Sequence, residues 1–271
     1  MNEENTKLHL PPENNDKGIS RKINGIIKQI LVSGLILVVL FLLMNAPAYY
    51  KIISNKYSDI TGTTTESPLT DLIDISDQTQ TQIIVAPSGA KDFQQKQVPP
   101  LDLEIMPTTD RIVIPRINQN VPIVRVSSEN LIQRDWKALE NDIQEALRGG
   151  VVHYPGTSLP GENGNIVITG HSSYFPWDPG RFKDVFALLH DVEVGDRVVM
   201  YYNQKKFIYE IKEKFEVKPT QIEVLKQTET ETLTLITCTP VGTNLRRLIV
   251  IAKPVVESTS QSDSTSIKVP R

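Results

Sequence analysis

A single cysteine, Cys238, in a chain of 271 residues excludes an internal disulfide. A lone thiol is a liability in an oxidising exterior unless it is buried or used. An excess of either charge is missing too. Lys and Arg number 29 against 32 Asp and Glu, a formal net charge of −3, so no general attraction to nucleic acid or to an anionic membrane surface is expected. Aromatics make up only 6% and charged residues 23%, ordinary values for a soluble domain that carries a disordered portion. Internal repeats are absent, which argues against stacked-repeat architectures. Beyond the first 50 residues there is no further apolar run of membrane length.

The one long apolar run that is present begins early. From Gln29 to Tyr50 no residue is charged, and Ile30–Met44 is its core. About 20 such residues in a helix span about 30 Å, the hydrocarbon core of a bilayer. Lys17, Arg21, Lys22 and Lys28 precede it and predict that this end stays in the cytoplasm. Tyr49 and Tyr50 suit the far interface. A cleaved signal peptide is the competing reading, with Ala46-Pro47-Ala48 as its small-residue site. The run is longer than the about 7–15 residues of a signal core, and Pro47 makes cleavage awkward. Nothing polar gives this stretch an exposed face, so a buried core helix is not expected.

The expected organisation is a disordered cytoplasmic tail over 1–28, a transmembrane signal anchor over 29–50, an extracellular flexible spacer over 51–100, a folded domain over 101–256 and a disordered tail over 257–271. The spacer rests on the polar, low-complexity runs Thr61–Pro68 and Gln78–Gln82, with a short helical turn expected over Leu69–Ile75.

Within the domain, Arg111–Ile117 and Val121–Val124 read as two short strands around a turn at Asn118–Asn120, with Pro115 at an edge or bulge. Trp136, Leu139, Ile143 and Leu147 fall on one face of a predicted helix, which Gly149 caps. Asn165–Thr169 reads as a strand that ends at Gly170-His171-Ser172-Ser173. Phe182, Val185, Phe186 and Leu189 predict a short amphipathic helix, and Val192–Tyr202 and Lys206–Glu216 two strands joined through Asn203. Two β-branched runs follow, Leu233–Thr237 leading into Cys238 and Leu248–Val250 headed by Arg246 and Arg247. A strand-rich domain with two helices at this length suits one β-barrel or sandwich.

Of the four histidines, His9 lies in the tail on the predicted cytoplasmic side, and His190 reads as a surface residue near a helix C-terminus. His153 and His171 remain. A lone Cys after a strand is more often a small buried hydrophobe, and a histidine at a strand end more often a structural hydrogen-bonder. Their combination on the strand ends of one small domain permits a specific chemistry. Cys238 attacks a carbonyl as thiolate, and His171 serves as its basic neighbour and later protonates the leaving amine. Arg247 or Arg246 donates hydrogen bonds to the carbonyl oxygen as charge develops. Adjacent strand residues face opposite ways, so only one of the two arginines points where Cys238 points.

The segment Thr234-Leu235-Ile236-Thr237-Cys238 resembles the Thr-Leu-x-Thr-Cys signature of sortases, the membrane-bound cysteine transpeptidases of mainly Gram-positive bacteria. Arg111–Pro115 is similar to the family's first barrel strand, His153–Gly161 through Thr169-Gly170-His171 to its stretch leading to the catalytic histidine, and Arg247–Val250 to the strand carrying its arginine. The resemblance covers about Leu101 to Pro254, and an N-terminal anchor with a spacer fits it. It implies a mainly β fold, a closed eight-stranded β-barrel with short helices preceded by one transmembrane helix. It implies Cys238 as nucleophile, His171 as general acid/base, Arg247 as the stabilising cation and Thr237 as a residue lining the substrate groove. His153 stands where many members have a histidine outside the catalytic set.

The implied reaction cleaves an LPxTG-like sorting signal between Thr and Gly through a thioacyl-enzyme. The acyl group passes to an amine of a cell-wall precursor or a pilin lysine. The implied partners are surface proteins or pilins with a C-terminal sorting signal, at the bacterial plasma membrane and without nucleic acid. No cofactor is needed, and no distinct acidic cluster argues for calcium. The short active-site motif Cys238–Asn244 with Arg247-Leu248 is most similar to the pilus-building class C members. Their upstream Asp-Pro-aromatic lid is not visible, since Asp178-Pro179 follows His171.

Other readings stand beside this one. A secreted, membrane-tethered cysteine peptidase that only hydrolyses uses the same groups, although the papain-like order puts Cys before His. A non-catalytic surface binding module would bury Cys238. A zinc site from His153, His171 and Cys238 lacks a fourth ligand.

Overall fold

The computed structural model describes residues 16–61, 67, 69–70 and 106–255. The expected tail over 257–271, the Gln78–Gln82 run and nearly all of the Leu69–Ile75 turn lie outside them. The chain divides into two compact units, Met1–Ala46 and Pro47–Arg271.

In the first unit, α1 runs Asp16–Met44. Its 21 residues Asn24–Met44 have a mean hydropathy of 2.6, and by length and composition they are enough to cross a membrane. This helix fits a single-pass anchor. At its end the Asn45 side-chain amide folds back to the Phe41 carbonyl at 2.9 Å.

The second unit begins inside α2, which runs Ala46–Thr61. The first residues of the stretch expected to be spacer, 51–61, are therefore helical. Eight strands follow and close into a barrel in the order β1-β2-β3-β4-β7-β8-β6-β5. They are β1 (Arg111–Ile114), β2 (Gln119–Arg125), β3 (Val151–His153), β4 (Asn165–Thr169), β5 (Arg197–Tyr202), β6 (Lys205–Val217), β7 (Thr232–Thr239) and β8 (Arg246–Pro254). Closure leaves no open sheet edge. The pairs β2–β3 and β4–β7 are parallel. The other neighbours are antiparallel.

Local chemistry explains the turns. β1 and β2 are joined by a 3-10 turn over Pro115–Ile117 that ends at Asn118 in the left-handed region, φ 49°. β5 and β6 are joined by Asn203 and Gln204, both at positive φ (50° and 58°), the two-residue geometry whose twist matches antiparallel strands. The barrel interior is filled by alternate strand residues, among them Ile112, Ile166, Ile168, Met200, Leu233, Leu235 and Val250. A parallel β2–β3 pair needs a crossover, supplied by α3 (Glu129–Gln133) and α4 (Trp136–Leu147).

Two sequence expectations are corrected. Leu139, Ile143 and Leu147 of α4 are buried as predicted, but Trp136, in the first turn, is 63% exposed. Phe182–Leu189 is not an α-helix: turns lead into a 3-10 helix at Leu189–Asp191, although Val185, Phe186 and Leu189 are buried. The reason is tertiary. The Phe186 amide donates to the His171 carbonyl at 2.9 Å, and that bond competes with a helical ladder. The five-residue helix α3 has no counterpart in the sequence reading.

Candidate active site

Strand alternation decides which groups share a surface. On β7, Leu233 and Leu235 belong to the barrel interior, whereas Ile236 belongs to an outer cluster with Val167 of β4 and Ile249 of β8. On β8, Leu248 and Val250 point inward. Period-two alternation then puts Cys238 on the outer face of β7 and Arg247 on the outer face of β8. The register pairs these two residues directly, Cys238 with Arg247 and Thr239 with Arg246. Residues so opposed have Cβ atoms about 4.5–5.5 Å apart.

On the other side of β7, the parallel β4 pairs Thr169 with Ile236. The Gly170 amide extends the ladder by donating to the Ile236 carbonyl at 3.1 Å. His171 follows Gly170 directly, so it leaves β4 at the end where β7 carries Cys238. Cys238 and Arg247 thus oppose each other on β7 and β8, and His171 follows the end of β4, the strand on the other side of β7.

The two arginines have different surroundings. Arg246 reaches Glu216 at 3.7 Å on the surface. Arg247 is half-buried, and its Nη1 donates to the carbonyls of Asn244 and Arg246, each at 3.2 Å. The β7–β8 loop therefore holds that guanidinium by its backbone.

Burial pushes the His171 imidazole down to about 4, and the Asp178 carboxylate pulls weakly the other way. The ring is neutral at neutral pH and available as a proton acceptor. Tyr174 stacks on it, centroids 4.3 Å apart and planes within 20°. Phe175 and Trp177 continue the aromatic series outward, their own rings 5.0 Å apart. Asp178 is held by the Gly180 amide at 2.8 Å and by Arg148 Nε at 3.1 Å, and these bonds keep its carboxyl below the usual range.

Thr237 is buried, and its hydroxyl donates to the Gly170 carbonyl at 2.7 Å. It lies on the inner face, so it ties β7 to the strand end that carries His171. His153 is buried on β3. Its Nδ1 meets the Tyr202 hydroxyl at 3.0 Å, and its Nε2 meets the Ser158 carbonyl at 3.0 Å and the Thr157 hydroxyl at 3.1 Å. Both ring nitrogens are occupied, and burial lowers its pKa. His190 is a surface residue beside Asp191, 3.1 Å away. Among the described residues no cluster of three or more His, Cys, Asp or Glu side chains could hold a metal ion.

Two participants escaped the sequence reading. Tyr174 packs on the histidine, and the concentration of Tyr174, Phe175 and Trp177 in a chain with 6% aromatics was a visible signal. Ser173 accepts from the Gly242 amide at 2.9 Å and joins the segment after His171 to the loop after Cys238. No sequence signal announces that bond.

The domain has relatives among known proteins. The chain is 32% identical over 146 residues to Sortase D of Bacillus subtilis (strain 168), covering 52% of this chain and 61% of that one. It is 25% identical over 141 residues to Sortase A of Bacillus anthracis, covering 52% and 56% respectively. It thus spans less than two thirds of the length of these curated relatives. Among solved structures, it is 34% identical to Sortase C1 of GBS Pilus Island 1, covering 54% of this chain and 64% of that one at a TM-score of 0.43. Sortase C-1 from Actinomyces oris is 30% identical, with 54% and 73% covered and a TM-score of 0.44. The family model of the Sortase domain matches residues 112–255, from β1 through β8. With more than half of its residues matched by that model, this chain belongs to the sortase family.

Proposed function

We propose that this chain is a membrane-tethered cysteine transpeptidase that cleaves an LPxTG-like sorting signal between Thr and Gly and transfers the acyl group to an amine. The observation that carries the reading is the pairing of Cys238 with Arg247 on β7 and β8, with His171 following the end of the neighbouring β4, in a chain of this family.

His171, neutral at neutral pH, takes the thiol proton as Cys238 Sγ attacks the Thr carbonyl carbon. The carbonyl π electrons move to oxygen, and Arg247 donates hydrogen bonds to that oxyanion. The C–N bond to Gly breaks, the imidazolium gives its proton to the leaving amine, and a thioacyl-enzyme remains. An incoming amine then attacks the thioester, loses its proton to His171, and expels the thiolate, which takes that proton back. Thr237, with its hydroxyl on Gly170, lies under the site and orients the strand end that carries His171.

The clients are surface proteins or pilins with a C-terminal sorting signal, and the amine belongs to a cell-wall precursor or a pilin lysine. The helix Asn24–Met44 anchors the chain in a bacterial plasma membrane, with the N-terminus in the cytoplasm and the catalytic domain outside.

The test uses the full chain in detergent micelles with an LPxTG-type peptide, with and without a glycine-based amine. A new amide product in the presence of the amine is expected. Identical hydrolysis products in both reactions would leave a peptidase instead. The Cys238→Ala variant is expected to form no product.

A further inference from the structure

Helix α2 touches both segments that carry the proposed reacting groups. Ala48 is 2% exposed, and Tyr49, Lys51, Ile52 and Asn55 are half-buried, whereas Tyr50, Ile53 and Tyr57 face solvent at 74%, 68% and 68%. Positions 48, 52 and 55 recur at helical spacing, so one stripe of α2 lies on the domain. Ile52 packs against the barrel's core cluster.

Its polar contacts are divided between two segments. Lys51 pairs with Asp184 at 2.9 Å, and the Asn55 side-chain amide donates to Asp191 at 3.0 Å. Both acceptors lie in the connection after His171, whose Phe186 amide is bonded to the His171 carbonyl. The Tyr49 hydroxyl donates to the Val241 carbonyl at 3.1 Å, in the loop after Cys238.

That last contact falls on a particular peptide group. The Val241 carbonyl and the Gly242 amide belong to one planar unit and point in opposite directions. Tyr49 holds the carbonyl, and Ser173, two residues after His171, holds the amide at 2.9 Å. Gly242 sits at φ 86°, a region that glycine enters without penalty, so the sequence alone leaves this peptide free to turn. Two residues further on, Asn244 gives its carbonyl to Arg247.

We propose that α2 is a strut of the catalytic unit, and that Tyr49 is a positioning residue. Its hydroxyl fixes the 241–242 peptide between α2 and the segment after His171, and so fixes the loop that holds Arg247 opposite Cys238. The proposal rests on His171, Cys238 and Arg247 being the reacting set.

The test compares Tyr49→Phe with the parent in the full chain in detergent micelles. Tyr50→Phe, at the exposed neighbouring position, serves as control. Amide hydrogen exchange is read at Gly242 and Thr243, together with the alkylation rate of the sole cysteine by iodoacetamide. Loss of one hydrogen bond predicts exchange at Gly242 and Thr243 about fivefold faster in Tyr49→Phe, with barrel-strand amides unchanged. Alkylation of Cys238 changes several-fold, and kcat for an LPxTG-type peptide falls about fivefold at an unchanged KM. Tyr50→Phe matches the parent. Unchanged loop exchange or unchanged alkylation in Tyr49→Phe overturns the proposal. So does faster exchange across the barrel strands, which marks a general loss of stability. If the parent does not turn over the peptide, the proposed reaction fails, while exchange and alkylation still decide the role of Tyr49.

Discussion

His171 follows a strand that is buried on both faces, and the consequence is a titration displaced from the ordinary histidine range. Its pKa is about 4 in the folded chain against 6.5 in the unfolded one, because burial disfavours the cation more than Asp178 favours it. As pH falls from 6.5 toward 4, the unfolded chain binds a proton here that the folded chain refuses. The stability contributed by this site is therefore full above 6.5 and is lost as pH falls through the folded value, by on the order of 3 kcal/mol. Urea unfolding of the parent near pH 7 and near pH 4, repeated with His171→Gln, isolates the effect. The substitution is expected to remove most of that acid loss and to leave the share that belongs to His153, which burial also lowers.

The two arginines allow a second test at the residue scale. Arg247 lies opposite Cys238 and Arg246 opposite Thr239. Removing a donor aimed at a developing oxyanion costs about 10²–10³ in kcat. An exposed pair such as Arg246–Glu216, at 3.7 Å, is worth at most about 1 kcal/mol to stability and has no carbonyl to serve. Arg247→Ala is expected to lower kcat by roughly the first amount, and Arg246→Ala by only a few-fold. Equal losses in peptide turnover would undo the assignment.

At the scale of elements, the site depends on how tightly β4 and β7 hold their ends. Gly170 has no room for a side chain: a Cβ there would stand 2.7 Å from Phe186 Cδ2 and 3.1 Å from Val151 Cγ1, both on buried residues. Gly170→Ala is expected to cost about 1–3 kcal/mol in urea unfolding, since one of those side chains must move. Thr237→Val keeps the shape but strands the Gly170 carbonyl, for about 1–3 kcal/mol, and Thr237→Ser is expected to restore most of it.

This is also the scale at which the sequence is unevenly legible. Alternation and β-branched runs place the strands, because each strand's pattern is local. The turn at Asn203 declares itself by residue type. The residues at 171, 238 and 247 stand out by type and by their places at strand ends. What pairs with what does not. That β4 lies parallel to β7, so that His171 follows β4 at the end where β7 carries Cys238, depends on barrel closure and leaves no local trace. The segment Phe182–Leu189 has helical spacing of its apolar residues, yet the Phe186 amide is taken by the His171 carbonyl. Trp136 has the right spacing for the buried face but lies in the first turn of α4, where it is exposed.

For the whole molecule, the least legible feature is where the anchor's sequence ends and the domain begins. Residues 51–61 read as the start of a polar spacer because Lys51, Lys56 and the Thr-rich run after them dilute the apolar stripe. The residues that dock, Ala48, Ile52 and Asn55, are small, half-buried or polar, and become recognisable only with their partners in place. The scarcity of cysteine then makes the molecule's orientation measurable. Cys238 is the only thiol in the chain, is partly exposed, and belongs to the domain that follows the apolar helix. A membrane-impermeant maleimide applied to intact cells therefore reports one site without mutagenesis. With the N-terminus cytoplasmic, as proposed from Lys17, Arg21, Lys22 and Lys28, the reagent is expected to label the chain before the membrane is broken. Cys238→Ala is expected to abolish that labelling. Labelling that appears only after permeabilisation would put the domain on the cytoplasmic side, and with it would remove the amines of the cell wall as acceptors.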